Sequence, residues 1–260
     1  MSKPHEQDRL VLGTWSQVAS AEVVDMVGLN GFEFTIVDIE HGFFGLETAE
    51  NLFRACAAVG LEPWIRVPNL DPALIGKALD SGARAVVVPG IASAQDAETA
   101  VRATRFGPQG LRGACPCVRA GGHFIRDWKG YVGREEGGTG AVLLVETREG
   151  LEAFDEIAEV PDVRAFLVGP FDLSVSLGHE GDYLHAEVQE GVQFMVRRAM
   201  EAGIPVVVPV FSPDLDEARR QLGGWYARGV RRFVVGTDKI LISDQFARYS
   251  GALRALEATA

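Results

Sequence analysis

The chain has 260 residues, 47% of them hydrophobic and 23% charged, a composition that can bury a large core and that excludes disorder and collagen-like structure. Its formal net charge of −11, from 25 Lys+Arg against 36 Asp+Glu, argues against a surface built for nucleic acid or anionic lipid. It leaves room for an anionic small substrate in a locally positive cleft. No run of about 20 apolar residues occurs, so no membrane span is expected.

Short apolar runs alternate with longer amphipathic ones along the whole chain. Leu10–Trp15 reads as a strand, followed by a helix near Ser20–Leu29. Glu33–Ile39 precedes a helix over Glu47–Val59, and Pro63–Val67 precedes Asp71–Asp80. Ala83–Val88 is followed by Ala94–Thr104, and Ala141–Val145 by Gly150–Glu159. Arg164–Val168 precedes a helix near Ala186–Ala202, and Ile204–Pro209 precedes Asp214–Leu222. Arg231–Val235 leads into a last helix near Ile240–Glu257. The strands are continuous apolar runs, as expected of strands buried on both faces. Helices between them impose parallel crossovers. Eight strand–helix pairs predict a single-domain α/β fold, a (β/α)₈ TIM barrel. An open doubly wound sheet is the alternative. It usually carries a glycine-rich phosphate turn after its first strand, where this chain has Trp15-Ser16-Gln17. Residues 107–140 form a long Gly- and Pro-containing segment that reads as a lid or interface loop.

The polar N-terminus MSKPHEQDRL does not read as a signal peptide. Cys56, Cys115 and Cys117 make no disulfide framework. Cys115 and Cys117 read as ordinary reduced thiols, with a zinc site as the weaker alternative. The expected compartment is the cytoplasm.

Catalytic groups of a barrel sit at the C-terminal ends of its strands. There the sequence places Trp15, then Asp38, Glu40 and His41, then Arg66, Glu146, the Gly169-Pro170-Phe171-Asp172 run, and Asp238. Glu146 and Asp172 can hold one hard divalent cation and leave positions open for substrate oxygens. Arg66 can meet a carboxylate or an oxyanion, and His41 can move a proton near neutral pH. Each has a plainer reading. Asp172 can cap a helix, Glu146 can pair with Arg148 or cap the next helix, and His41 can be structural. Asp80 reads as part of a helix C-terminal turn, and His179 and His185 as solvated loop residues. A charged Arg66 on a barrel strand is costly unless it faces a polar site.

The ordered set Asp38-Ile39-Glu40-His41-Gly42, Arg66-Val67-Pro68, Leu79-Asp80-Ser81-Gly82-Ala83, Arg112-Gly113, Val145-Glu146-Thr147 and Gly169-Pro170-Phe171-Asp172-Leu173-Ser174 resembles the HpcH/HpaI aldolases, metal-dependent pyruvate aldolases. The resemblance runs from about Leu12 to Phe246. It implies reversible cleavage of a 4-hydroxy-2-keto acid into pyruvate and an aldehyde. It also implies Mg²⁺, Mn²⁺ or Co²⁺ on Glu146 and Asp172, and His41 as acid/base oriented by Asp80. Arg66 would lie on the pyruvate oxygen, and the segment Gly169, Pro170, Phe171 on the pyruvate carboxylate, with Trp15 lining the pocket. The implied assembly is a homohexamer of dimers that exchange the last helix. Three positions depart from the family pattern: Leu144, where a Gln is common, Phe43-Phe44, and Gly90. They bear on the aldehyde acceptor more than on the pyruvate half. A Schiff-base mechanism needs a desolvated lysine, and Lys3, Lys77, Lys129 and Lys239 all lie off the strand ends. A citrate-synthase-like condensation through the same enolate, or another 2-keto acid donor, is the enzymatic alternative. A binding protein on a barrel frame is the non-enzymatic one.

Overall fold

The computed structural model describes residues 9–256. The polar N-terminus with Lys3 and His5, and the last residue expected in the final helix, Glu257, lie outside the described residues. The first half of the chain runs β1 (Val11–Ser16), α1 (Ala21–Leu29), β2 (Phe34–Asp38), α2 (Leu46–Val59), β3 (Glu62–Arg66), α3 (Pro72–Asp80), β4 (Ala85–Val88), α4 (Ala94–Ala103) and α5 (Trp128–Gly138). The second half runs β5 (Gly140–Val145), α6 (Arg148–Glu152), α7 (Phe154–Ile157), β6 (Ala165–Val168), α8 (Pro170–Leu177), α9 (Ala186–Glu201), β7 (Val206–Val210), α10 (Leu215–Ala227), β8 (Arg232–Thr237) and α11 (Asp238–Arg254).

The eight strands are parallel and close on themselves in sequence order, β8 pairing back onto β1. The expected (β/α)₈ barrel is the fold. Two apolar layers hold it. Trp15, Phe34, Ile36, Trp64, Val87, Val142, Leu144, Leu167, Val207 and Val234 fill the barrel interior. A larger layer, including Phe53, Ile65, Ile75, Leu79, Phe154, Phe166 and Met195, lies between the sheet and the helices. Phe34 and Trp64 stack with ring centroids 4.4 Å apart. Both are fully buried, so truncating Trp64 to alanine costs about 3–5 kcal/mol. Interior hydroxyls are satisfied: Ser16 Oγ lies 2.7 Å from Thr35 Oγ1, and Thr14 Oγ1 donates to Val235 O at 2.9 Å.

Helix starts follow local chemistry. Ser20, Asp71, Ser93, Thr147, Asp214 and Thr237 each accept a backbone N–H of the turn they open. Three elements differ from expectation. The helix expected over Gly150–Glu159 is two short helices, α6 and α7, broken at Ala153. A further helix, α8, stands directly on the end of β6. The segment 107–140 contains a 3₁₀ turn at Arg119–Gly121 and all of α5. It joins α4 to β5, so both its ends lie at the N-terminal rim of the barrel. Within one chain it is not a lid over the C-terminal rim. Among the described residues no helix is long and apolar enough to cross a membrane.

Candidate active site

The parallel register places Asp38, the last residue of β2, directly beside Arg66, the last residue of β3. Arg66 Nε donates to Asp38 Oδ1 at 2.9 Å and Nη2 to Oδ2 at 2.5 Å. This is the bidentate geometry that a planar guanidinium favours. Arg66 Nη1 lies 3.0 Å from Glu40 Oε2, an ion pair without hydrogen-bond alignment. The guanidinium also sits 4.3 Å over the Trp15 ring. Asp38 is fully buried. Besides Arg66 it accepts from Gln17 Nε2 at 2.7 Å, Glu40 N at 3.1 Å and His41 N at 3.2 Å. Burial opposes the Asp38 charge, but the Arg66 hydrogen bonds and charge, with Gln17 and the His41 amide, outweigh it and hold the carboxyl below its usual range.

Trp15, Arg66, Leu144, Glu146, Gly169, Pro170, Phe171, Asp172, Pro209 and Phe211 line one cleft at the C-terminal rim. The sequence-predicted residues Trp15, Arg66, Glu146, Gly169, Pro170, Phe171 and Asp172 therefore converge. The plainer readings of the carboxylates do not hold. Thr147, not Glu146, caps α6, and the Arg148 side chain donates to Leu177 O, its backbone amide to Ser176 Oγ. Gly169, not Asp172, stands at the N-cap of α8, with no side-chain cap bond. Glu146 Oε1 accepts from the Gly90 amide at 3.1 Å, which gives the departing Gly90 a local role. Burial pushes the Glu146 carboxyl up to about 7, helped by the charge of Asp172. Glu40 is also raised, first by burial, with Asp38 and Asp172 adding to it against Arg66 and His41. Trp15 Nε1 is buried with no hydrogen-bond partner.

His41 is exposed at the end of β2, its amide tied to Asp38. Asp80 is elsewhere. It ends α3, the helix that carries the chain back to the N-terminal rim, and it pairs with Arg112 (Nη2 at 2.8 Å, Nε at 3.2 Å). Arg112 also meets Glu135 and covers the Phe106 ring. The expected His41–Asp80 pair is thus not formed within one chain, because a βα-loop residue and a helix C-terminus sit at opposite rims. Sequence reasoning placed Asp38, Glu40 and Asp238 at the rim without giving them roles, and passed over Gln17. Asp238 accepts the amides of Gln17 at 2.9 Å, Val18 at 2.8 Å and Lys239 at 2.7 Å.

His179 and His185 are not simple solvated loop residues. Their rings stack 3.6 Å apart, and His179 Nε2 lies 2.7 Å from Glu187 Oε2. Their ligand atoms with that of Glu187 converge within 4.8 Å, away from the cleft-lining set. Lys77, Lys129 and Lys239 are exposed on helices, which leaves no described lysine placed for a Schiff base in the barrel. Cys115 and Cys117 are exposed free thiols, and Cys56 is buried.

A model of the HpcH/HpaI aldolase/citrate lyase family matches residues 11–236. The chain belongs to this family. Its curated relatives include the 2-dehydro-3,6-dideoxy-6-sulfogluconate aldolase of Pseudomonas putida, 31% identical over 95% of this chain and 94% of the relative. The hydroxypyruvate/pyruvate aldolase of Paraburkholderia phytofirmans is 34% identical over 84% and 85%. A solved HpcH/HpaI family protein from Burkholderia cenocepacia superposes with a TM-score of 0.86 at 30% identity, covering 95% of both chains. As a member of this aldolase family, the chain is a carbon–carbon lyase.

Proposed function

We propose that the protein reversibly cleaves a 4-hydroxy-2-keto acid into pyruvate and an aldehyde at the cleft between β5, β6 and β3. The observation that carries this reading is that two carboxylates, Glu146 and Asp172, line one cleft with a buried arginine, Arg66. The carboxylates fit a divalent cation. Neither caps a helix, one is raised by burial and by the other's charge, and Gly169 leaves the space that Glu146 occupies. A Cβ at Gly169 would lie 2.6 Å from Glu146 Cβ and 2.8 Å from Oε2. Glu146 and Asp172 would hold Mg²⁺, Mn²⁺ or Co²⁺, hard cations that carboxylates suit. When bound there, the cation acts as a Lewis acid on the substrate's keto and carboxylate oxygens.

The chain's own residues do the rest. Arginine has five N–H donors. Two are engaged by Asp38, and Nη1 faces Glu40 as an ion pair without a hydrogen bond, so three donors, on Nη1 and Nη2, remain for the oxygen that becomes the pyruvate enolate. Asp38 and the Trp15 face fix the plane of the guanidinium, so little reorganisation is needed as charge develops. The unpartnered Trp15 Nε1 offers a further donor to the bound keto acid. The backbone amides of Phe171 and Asp172, in the first turn of α8, favour the pyruvate carboxylate, while the Gly169 amide is taken by Val145 O and Pro170 has none. His41, exposed just beyond the end of β2, takes the proton of the C4 hydroxyl as the C3–C4 bond breaks and returns it in the condensation direction. Relatives identical at 30% or more include sulfogluconate, hydroxypyruvate/pyruvate and ketodeoxyglucarate aldolases, which favours an aldehyde over an acyl thioester as the acceptor. The same reading makes the protein a homo-oligomer of the cytoplasm, with α11 seated on a partner subunit. Incubating the metal-loaded protein with pyruvate and a panel of aldehydes, and identifying the products, tests the reading. Aldol adducts support it, and the absence of an adduct with every aldehyde of the panel contradicts it.

A further inference from the structure

The Arg66 guanidinium is held at the buried end of a chain of hydrogen bonds that starts, half-buried, on another element. The β1–β8 ladder ends at Trp15 and Thr237, after a slip in register between Gly13 and Trp15. Beyond it, the amides of Gln17 and Val18 turn to the Asp238 carboxylate, which is 3% exposed and also takes the Lys239 amide. One carboxylate thereby fixes the β1–α1 connection to the first turn of α11. Fixing the Gln17 backbone fixes where its side chain reaches. Gln17 Nε2 donates to Asp38 Oδ2 at 2.7 Å, the same oxygen that receives Arg66 Nη2 at 2.5 Å.

We propose that Asp238 and Gln17 are positioning residues for Arg66, acting through Asp38. The two Asp38 oxygens are held differently. Oδ1 is fixed by Arg66 Nε and the amides of Glu40 and His41, all from β2, its following turn, or β3. Oδ2 has Gln17 as its donor besides Arg66 itself. Removing Gln17 leaves one oxygen of the pair free to rotate with the guanidinium, and a buried acceptor is left short of a partner. Outer partners of this kind orient the group that acts and change activity without touching substrate. The inference rests on the reading of Arg66 as the donor to the pyruvate oxygen.

The test uses the metal-loaded full chain. The rate is exchange of pyruvate methyl protons in D₂O, and oxalate is the probe for the enolate-like state, since its vicinal carboxylates mimic the planar enolate and its carboxylate. Gln17→Leu keeps the volume and removes the donor, and Gln17→Glu keeps the shape and removes the donor when ionised. Both are expected to lower kcat about 10-fold and weaken oxalate inhibition by a like factor, with KM for pyruvate little changed. A merely structural residue lowers the amount of folded protein and leaves that split untouched. Asp238→Asn, which keeps one acceptor oxygen, should fall between wild type and these variants. In an Arg66→Lys background, Gln17→Glu should add little further loss, because both act on one group. Normal kcat and oxalate affinity in both Gln17 variants overturn the proposal, as does a loss that multiplies independently with Arg66→Lys. Near-normal turnover in Arg66→Lys alone instead overturns the Arg66 reading, and the relay with it.

Discussion

Glu146 occupies the space that a side chain at Gly169 would need. A Cβ there would approach Glu146 Cβ to 2.6 Å and Leu144 Cδ1 to 3.2 Å. Gly169 follows the last residue of β6, and its amide bonds Val145 O at 3.1 Å, so its backbone has little freedom to retreat. Gly169→Ala should therefore displace the Glu146 carboxyl and weaken divalent cation binding about 10-fold or more. Titration calorimetry with Mn²⁺ on folded protein measures this. Unchanged affinity would separate Glu146 from the cation.

Glu146→Gln is expected to abolish cation binding and, without metal, to stabilise the fold. Burial and the charge of Asp172 push the Glu146 carboxyl up to about 7, so its charged form is disfavoured in the folded state. A neutral, isosteric side chain removes that cost, which is on the order of 1–3 kcal/mol once the group is ionised. Thermal unfolding of the two chelated proteins in mildly alkaline buffer checks the sign. A lower Tm for the variant contradicts it.

Asp38 has the opposite sign. Its folded-state value is below the ordinary 3.8, with Arg66 overcoming the cost of burial. The stability it contributes is present above the unfolded value and is lost as pH falls through the folded one. Asp38→Asn should flatten this acid limb of the stability curve. It should also cost about 3–5 kcal/mol at neutral pH, because Arg66 is left buried without its main counter-charge. Denaturant unfolding across acid pH reads both effects.

The C-terminal helix presents apolar side chains to solvent in the single chain. Phe246 is 71% exposed, Tyr249 66% and Leu253 63%, and within α11 only Asp238 is buried. An apolar stripe of this kind marks an interface. Light scattering at micromolar protein should show an oligomer. Phe246→Glu with Leu253→Glu should reduce its mass. A wild-type monomer would sink the seating of α11 on a partner.

The barrel was legible because its strands are uninterrupted apolar runs such as Ala85–Val88 and Gly140–Val145, buried on both faces. The cleft was legible because strand ends carry the rim residues. Asp38 carries a readable signal: it and Arg66 end adjacent strands, and parallel register sets them side by side. The Asp80–Arg112 pair was not readable, because β4, α4 and an irregular turn of no fixed geometry lie between its members, 32 positions apart. Helix α8 was missed because Gly169-Pro170 reads as a turn while eight residues carry too few turns to show a helical period. Gln17 carried no signal, since its role depends on a carboxylate 221 residues away.

The measurement closest to the central claim is NMR of pyruvate in D₂O with the metal-loaded protein and no aldehyde. Enolisation needs Glu146, Asp172 and their cation, Arg66, and a base, but no acceptor. The account predicts loss of the methyl proton signal at a rate proportional to enzyme. It predicts no such loss after chelation or in Glu146→Gln, and the rate should be little affected by changes at the fully exposed Phe43. Methyl protons left untouched by wild-type, metal-loaded protein at high concentration would contradict it.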